Sequence, residues 1–150
     1  MGADDDGIAR DYRLAPLRES RQRDERVRRN DLAIAVGDAC ATEALAAETA
    51  ERVVAARRRL DQAVTGRNAL NDTGAGQLVL ADKHVERCRR DLDRALDEQR
   101  RAARAHDDRL GAIDDARSKL AAARADREVI ERHFARWRDA RKKLAERRED

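Results

Sequence analysis

Aromatic side chains are almost missing: the 150 residues hold one Phe, one Trp and one Tyr, beside a single Met. A compact domain of this length fills its interior with bulky side chains, so that architecture is excluded. Proline is equally scarce, at one residue, and serine at two. Disordered chains that are 43% charged, as this one is, are enriched in Pro, Gly and Ser, so disorder is excluded too. No apolar run approaches the ~18 residues of a membrane span, and no apolar core follows the acidic N-terminus. The expectation is a cytoplasmic protein with no direct membrane insertion. Charge of one sign is also lacking. The 34 basic and 31 acidic groups are interleaved and leave a formal +3, which implies no general affinity for nucleic acid or membrane.

Cysteine is limited to Cys40 and Cys88. In a chain folded back at its midpoint they lie roughly 28 Å apart along the axis at ~1.5 Å per residue. A disulfide needs Cα atoms within ~7 Å, so both are expected to be small, reduced seam residues.

What is abundant is alanine, at 30 residues, with arginine, acidic residues and spaced Leu, Ile and Val. These are strong helix formers, and the composition is that of a long helix or coiled coil. The one strong interruption is Asn71-Asp72-Thr73-Gly74-Ala75-Gly76, close to the middle of the chain. The expected fold is all-α and single-domain: two long helices, 16–70 and 77–147, joined by a turn at 71–76 into an antiparallel coiled-coil hairpin. Pro16 suits a first helical turn, where its missing N–H is not needed.

The apolar steps read Val27, Ile34, Ala41, Leu45, Val53, Ala56, Leu60, Val64 and Leu70 on the first arm. On the second they read Val85, Cys88, Leu92, Leu96, Ala103, His106, Leu110, Ile113, Leu120, Ile130, Phe134, Trp137 and Leu144. Each forms one narrow stripe, a coiled-coil seam, whose register departs from a clean heptad. Acid-first i,i+4 pairs (Asp24/Arg28, Glu48/Arg52, Glu86/Arg90, Asp97/Arg101, Glu128/Arg132 and Asp139/Lys143) are each worth about 0.3 kcal/mol. Gly37, Gly66 and Gly111, inside the arms, are candidate close-approach or bending points.

Folding back about residue 73 or 74 pairs positions whose numbers sum to about 147. Tyr12 then meets Phe134 and Trp137, with Leu14, Leu17 and Ile130 nearby, gathering every aromatic at the end that carries both termini. Such a cluster clasps the open end, offers a partner surface, or does both. Between Asp31 and Glu51 there is no Lys or Arg. Nearer the turn, Arg57, Arg58 and Arg59 face Arg87, Arg89 and Arg90 as a basic collar among acidic residues.

Enzyme chemistry is not legible. Gly74-Ala75-Gly76 lacks a preceding strand and a third glycine, and no phosphate-loop motif occurs. His84 and Cys88 share a helical face as half a zinc site, but His106 and His133 lie far along the arm. No catalytic residue, cofactor or metal is expected.

The segment Tyr12-Arg13-Leu14-Ala15-Pro16-Leu17-Arg18-Glu19-Ser20-Arg21-Gln22-Arg23-Asp24-Glu25-Arg26 resembles the N-terminus of the stalk proteins of bacterial type III export machines, the FliJ/YscO-like family. That family opens with an aromatic, then leucine or proline–leucine, then an Arg/Glu run into a helix. The tail Leu144-Ala145-Glu146-Arg147-Arg148-Glu149-Asp150, the length and the midpoint break are similar in character. Arg18 stands where a second leucine is common in the flagellar branch, which favours an injectisome of virulence or symbiosis. The resemblance implies a non-enzymatic stalk whose terminal end enters the hexameric export ATPase while its turn reaches the cytoplasmic ring of the export gate. Some members also handle secretion chaperones. It implies an ATPase end of Tyr12, Leu14, Leu17, Phe134 and Trp137, a gate end of Asp72, Gly74, Gly76 and Gln77, and a position peripheral to the inner membrane. Arms of this length would span about 100 Å. Two other readings are a self-associating structural coiled coil, since a two-helix core is thin, and a nucleic-acid-binding arm. Against the latter, no aromatics are interleaved along the arms for bases to stack on.

Overall fold

The computed structural model describes residues 12–70 and 74–149. Two helices account for nearly all of them: α1, Ala15–Asn68, and α2, Ala75–Glu149, packed as a helical hairpin. α1 opens with the Ala15 amide donating to the Tyr12 carbonyl at 2.9 Å and the Arg18 amide to the Leu14 carbonyl at 3.0 Å, with Pro16 in the first turn. It closes through bonds from the Ala69 amide to Thr65 and from the Leu70 amide to Arg67, the latter a tighter i,i+3 turn. α2 starts two residues earlier than expected, taking in Ala75 and Gly76. Alanine is the strongest helix former, and no described residue has a positive φ.

The packing divides into two units, Val36–Gly111 and the pair of flanking segments ending at Ala35 and beginning at Ala112. In the turn-side unit the buried and half-buried positions of α1 include Ala39, Thr42, Ala46, Thr49, Val53, Ala56, Leu60 and Ala63, flanked by half-buried Ala50 and Val64. Those of α2 include Ala81, Val85, Cys88, Leu92, Ala95, Gln99, Ala102 and His106. Both sets alternate steps of three and four without interruption, which is the spacing that keeps one seam facing a partner helix. Val53, Ala56 and Ala95 form one core cluster, supported by Leu92 and Leu96. Ala63, Val85 and Cys88 form a second, supported by Leu60 and Val64. The Thr42 hydroxyl meets His106 Nδ1 at 3.2 Å, so facing residue numbers sum to 148, one more than expected.

In the terminal unit α1 buries or half-buries Arg18, Arg21, Glu25, Leu32 and Ala35, the same spacing with one gap at exposed Arg28. On α2 it runs through Ile113, Ala116, Leu120, Ala123, Arg127, Ile130, Phe134 and Trp137. The buried positions within each unit thus keep a seven-residue spacing, more regular than the apolar steps suggested, with a gap at exposed Arg28. The expected apolar stripe was partly the wrong face: Val27 (53% exposed), Ile34 (65%) and Leu45 (46%) point outward, as do Ala41, Ala103, Leu110 and Leu144. Small Ala and polar Thr, Glu and Arg occupy the true seam there, so bulk alone misplaces it. Cys88 is buried in the seam, but Cys40 is exposed; both are free thiols. A Cβ built on Gly37, Gly66 or Gly111 would meet nothing within 4 Å, so none is a point of close approach.

Ion pairing also departs in detail. Glu48–Arg52 (2.6 Å) and Glu128–Arg132 (3.1 Å) form as expected. Arg28 pairs instead with Asp31, and Asp97 with Arg100, at i,i+3.

Candidate functional site

Tyr12 lies just before α1, and the turn that starts the helix directs its ring onto α2. Its centroid is 5.1 Å from Phe134, edge-on, and 5.0 Å from Trp137, while Phe134 and Trp137 stack at 5.8 Å. These are the separations at which aromatic pairs gain about 0.5–1.5 kcal/mol beyond burial. Tyr12 is 3% exposed and Phe134 9%. The hydroxyl that would otherwise be stranded is hydrogen-bonded to His133 Nδ1 at 2.6 Å. Burial pushes the Tyr12 phenol above its ordinary value; Arg18 opposes this and Glu131 adds to it.

Charged side chains seal the aromatic cluster. The Arg18 guanidinium lies over the Phe134 ring at 4.2 Å, and Arg141 over Trp137 at 5.3 Å. Arg18 Nε donates to both Glu131 oxygens, at 2.9 and 3.0 Å, and Gln22 Nε2 donates to Oε1 at 2.9 Å. The Arg18 hydrogen bond above all, with the Gln22 bond and the charges of Arg18 and Arg127, holds the Glu131 carboxyl below its ordinary range against the opposing effect of burial.

One turn further in sits a residue that composition and periodicity did not single out. Glu25 is 4% exposed, yet it occupies a seam position seven residues after Arg18 and seven before Leu32. Its carboxylate is met by Arg127 Nε at 2.8 Å, Arg29 Nη2 at 2.9 Å and Arg124 Nε at 3.6 Å. The Arg127 contact is short but off-line, an ion pair and not an aligned hydrogen bond. Three cations around one buried carboxylate offset its desolvation. A heptad count through Arg18 would have located it.

Of the expected ATPase-end residues, Tyr12, Phe134 and Trp137 are brought together, Leu14 is half-buried beside them in sequence, and Leu17 is 43% exposed. At the expected gate end, Gly74, Gly76 and Gln77 are exposed at the start of α2, where the Gln77 amide donates to the Gly74 carbonyl at 3.0 Å. Asp72 lies outside the described residues. The collar arginines Arg57, Arg58, Arg59, Arg87, Arg89 and Arg90 are all exposed. His84 Nε2 and Cys88 Sγ are 3.9 Å apart, and no group of three or more metal-ligating side chains occurs among the described residues. Among the described residues no helix is long and apolar enough to cross a membrane.

The fold and these ends define a class, the two-helix coiled-coil hairpin. Comparison with protein-family models, curated proteins and solved structures finds no match to the chain.

Proposed function

We propose that the chain is the non-enzymatic central stalk of a type III protein export apparatus, linking the hexameric export ATPase to the cytoplasmic ring of the export gate. The observation that carries this reading is the aromatic clasp. The only Tyr, Phe and Trp of the chain are concentrated at the end where the resemblance puts the ATPase contact, and Leu17 is left exposed there. Closed in this way, the terminal end presents a preordered surface, which lowers the entropic cost of docking into a ring. In this role the protein is cytoplasmic and peripheral to the inner membrane through its partners; handling secretion chaperones, as some members of the family do, is compatible with it. The test is direct binding of the purified chain to the cognate export ATPase, followed by titration calorimetry. Saturable binding weakened by Leu17→Glu is expected. No detectable binding by the unmutated chain would overturn the stalk reading and leave a structural coiled coil.

A further inference from the structure

The seam of the turn-side unit is occupied within the chain, but the flank of α1 beside it, through Glu43, Ala47, Val54 and Arg57, is exposed. From Val36 to Glu51 this helix carries Asp38, Glu43, Glu48 and Glu51 and no cation; the next eight residues carry Arg52, Arg57, Arg58 and Arg59 and no acid. All eight charged side chains are exposed; Asp38 is already paired with Arg109 and Arg52 with Glu48 and Glu98, so the charges the face can use are Glu43, Glu51, Arg57 and Arg58. Between Glu43 and Arg57 this flank is apolar: Val54 is 51% exposed, and Ala50, Glu51, Val54, Ala55 and Arg58 line a shallow groove.

We propose that this face binds a second copy of the chain, α1 against α1 in antiparallel orientation, about a two-fold axis near Ala50. The arithmetic of the helix selects that axis. Glu43 and Arg57 each lie seven residues from Ala50, two turns on either side, and so share one edge of the helix. An antiparallel two-fold puts Glu43 of each copy beside Arg57 of the other, forming the same pair twice, as an isologous interface requires. Val36 and Val64, fourteen residues either side, meet in the same way. Ala47 and Val54 fill the middle, where alanines let two backbones approach. Parallel pairing would set acid against acid over one half and arginine against arginine over the other, which complementarity disfavours. Val64 also supports the second core cluster of the hairpin, but Glu43, Ala47, Val54 and Arg57 are exposed and outside the seam, so the dimer leaves the intrachain fold intact. The proposal is independent of the stalk reading, because its residues are neither those of the terminal clasp nor Gly74, Gly76 and Gln77 of the expected gate end.

Sedimentation equilibrium of the full chain decides it. A species of twice the 17.0 kDa chain mass is expected to form as concentration rises. Glu43→Arg and Arg57→Glu should each weaken dimerisation at least about tenfold, and the double reversal should return it to within about threefold of the original. Val54→Glu, an outward position, should abolish the dimer with helicity by circular dichroism unchanged. A mass of 17.0 kDa at every concentration overturns the proposal. So does a dimer indifferent to Val54→Glu, and single reversals that the double change fails to restore overturn the antiparallel register.

Discussion

Tyr12, Phe134 and Trp137 are the large side chains that close the terminal unit; the rest of its seam is alanine, branched aliphatics and salt-bridged polar groups. Trp137→Ala should therefore cost about 3 kcal/mol by the scale for truncating large packed side chains, read as a shift of the urea midpoint. Tyr12→Phe, which removes only the bond to His133, should cost about 1 kcal/mol. Indole emission from the isolated protein should be blue-shifted relative to free tryptophan; emission typical of full water exposure would contradict the intramolecular clasp. Glu25 supplies a second, asymmetric expectation. Arg127→Met leaves a buried carboxylate with weaker compensation and should destabilise by about 1–3 kcal/mol. Glu25→Leu should cost much less, because the Arg29, Arg124 and Arg127 side chains are 60%, 54% and 42% exposed and can turn to water. The reverse order of the two effects in denaturant melts would contradict this account.

The same residues set a pH window for the clasp. Glu131 titrates lower in the folded state, so the stability it contributes is present above the ordinary glutamate range and is lost as pH falls through the lowered folded value. Tyr12 titrates higher, so its contribution is intact below the ordinary phenol value of about 10 and is lost as pH rises through the raised folded value. Trp137 fluorescence followed against pH should show both limbs. Glu131→Gln should remove most of the acid limb and leave the alkaline one.

At the level of the helices, the two arms were legible because alanine-rich helical sequence is a strong signal, although Ala75 and Gly76, expected in the turn, belong to α2. The seam was legible only in part. Val53, Ala56, Leu60, Val85, Cys88 and Ile113 were read correctly, since there the apolar and buried positions coincide. Over Val27 to Leu45 they separate: the heptad passes through Glu25, Leu32, Ala39 and Thr42, and the bulkier Val27, Ile34 and Leu45 stand outside it. Hydrophobicity ranks Ile above Thr or Ala, but packing between two close helices selects position and size, which a one-dimensional scan does not register. The aromatic cluster was foreseen from the fold-back, whereas the His133 bond to Tyr12 and the arginines around Glu25 were not, because a search for apolar steps does not register polar residues. The difference is measurable. Leu45→Gln should change stability by no more than about 0.5 kcal/mol, while Val53→Ala, in the first core cluster, should cost about 1–2 kcal/mol; equal costs in thermal melts would return Leu45 to the seam.

For the molecule as a whole, the stalk reading requires that its two partner-facing ends act independently. The terminal residues Tyr12, Leu14, Leu17, Phe134 and Trp137 belong to one unit, and Gly74, Gly76 and Gln77 to the other, with no residue in common. Substitutions that share no partners usually add, so each end should be separable by mutation. Leu17→Glu changes an exposed side chain, not a seam position, and should lower affinity for the export ATPase about tenfold or more while helicity is preserved. Adding Trp137→Ala also loosens the clasp and should deepen the loss. Replacing residues 72–77 with a glycine–serine turn should leave ATPase binding unchanged and impair secretion of a reporter substrate, since only the gate contact is altered. Binding and secretion must be measured on the same variants, because the reading turns on their dissociation. If the tip replacement weakens ATPase binding as much as Leu17→Glu does, the two ends are not separate contact sites and the assignment of one to the ATPase and the other to the gate falls.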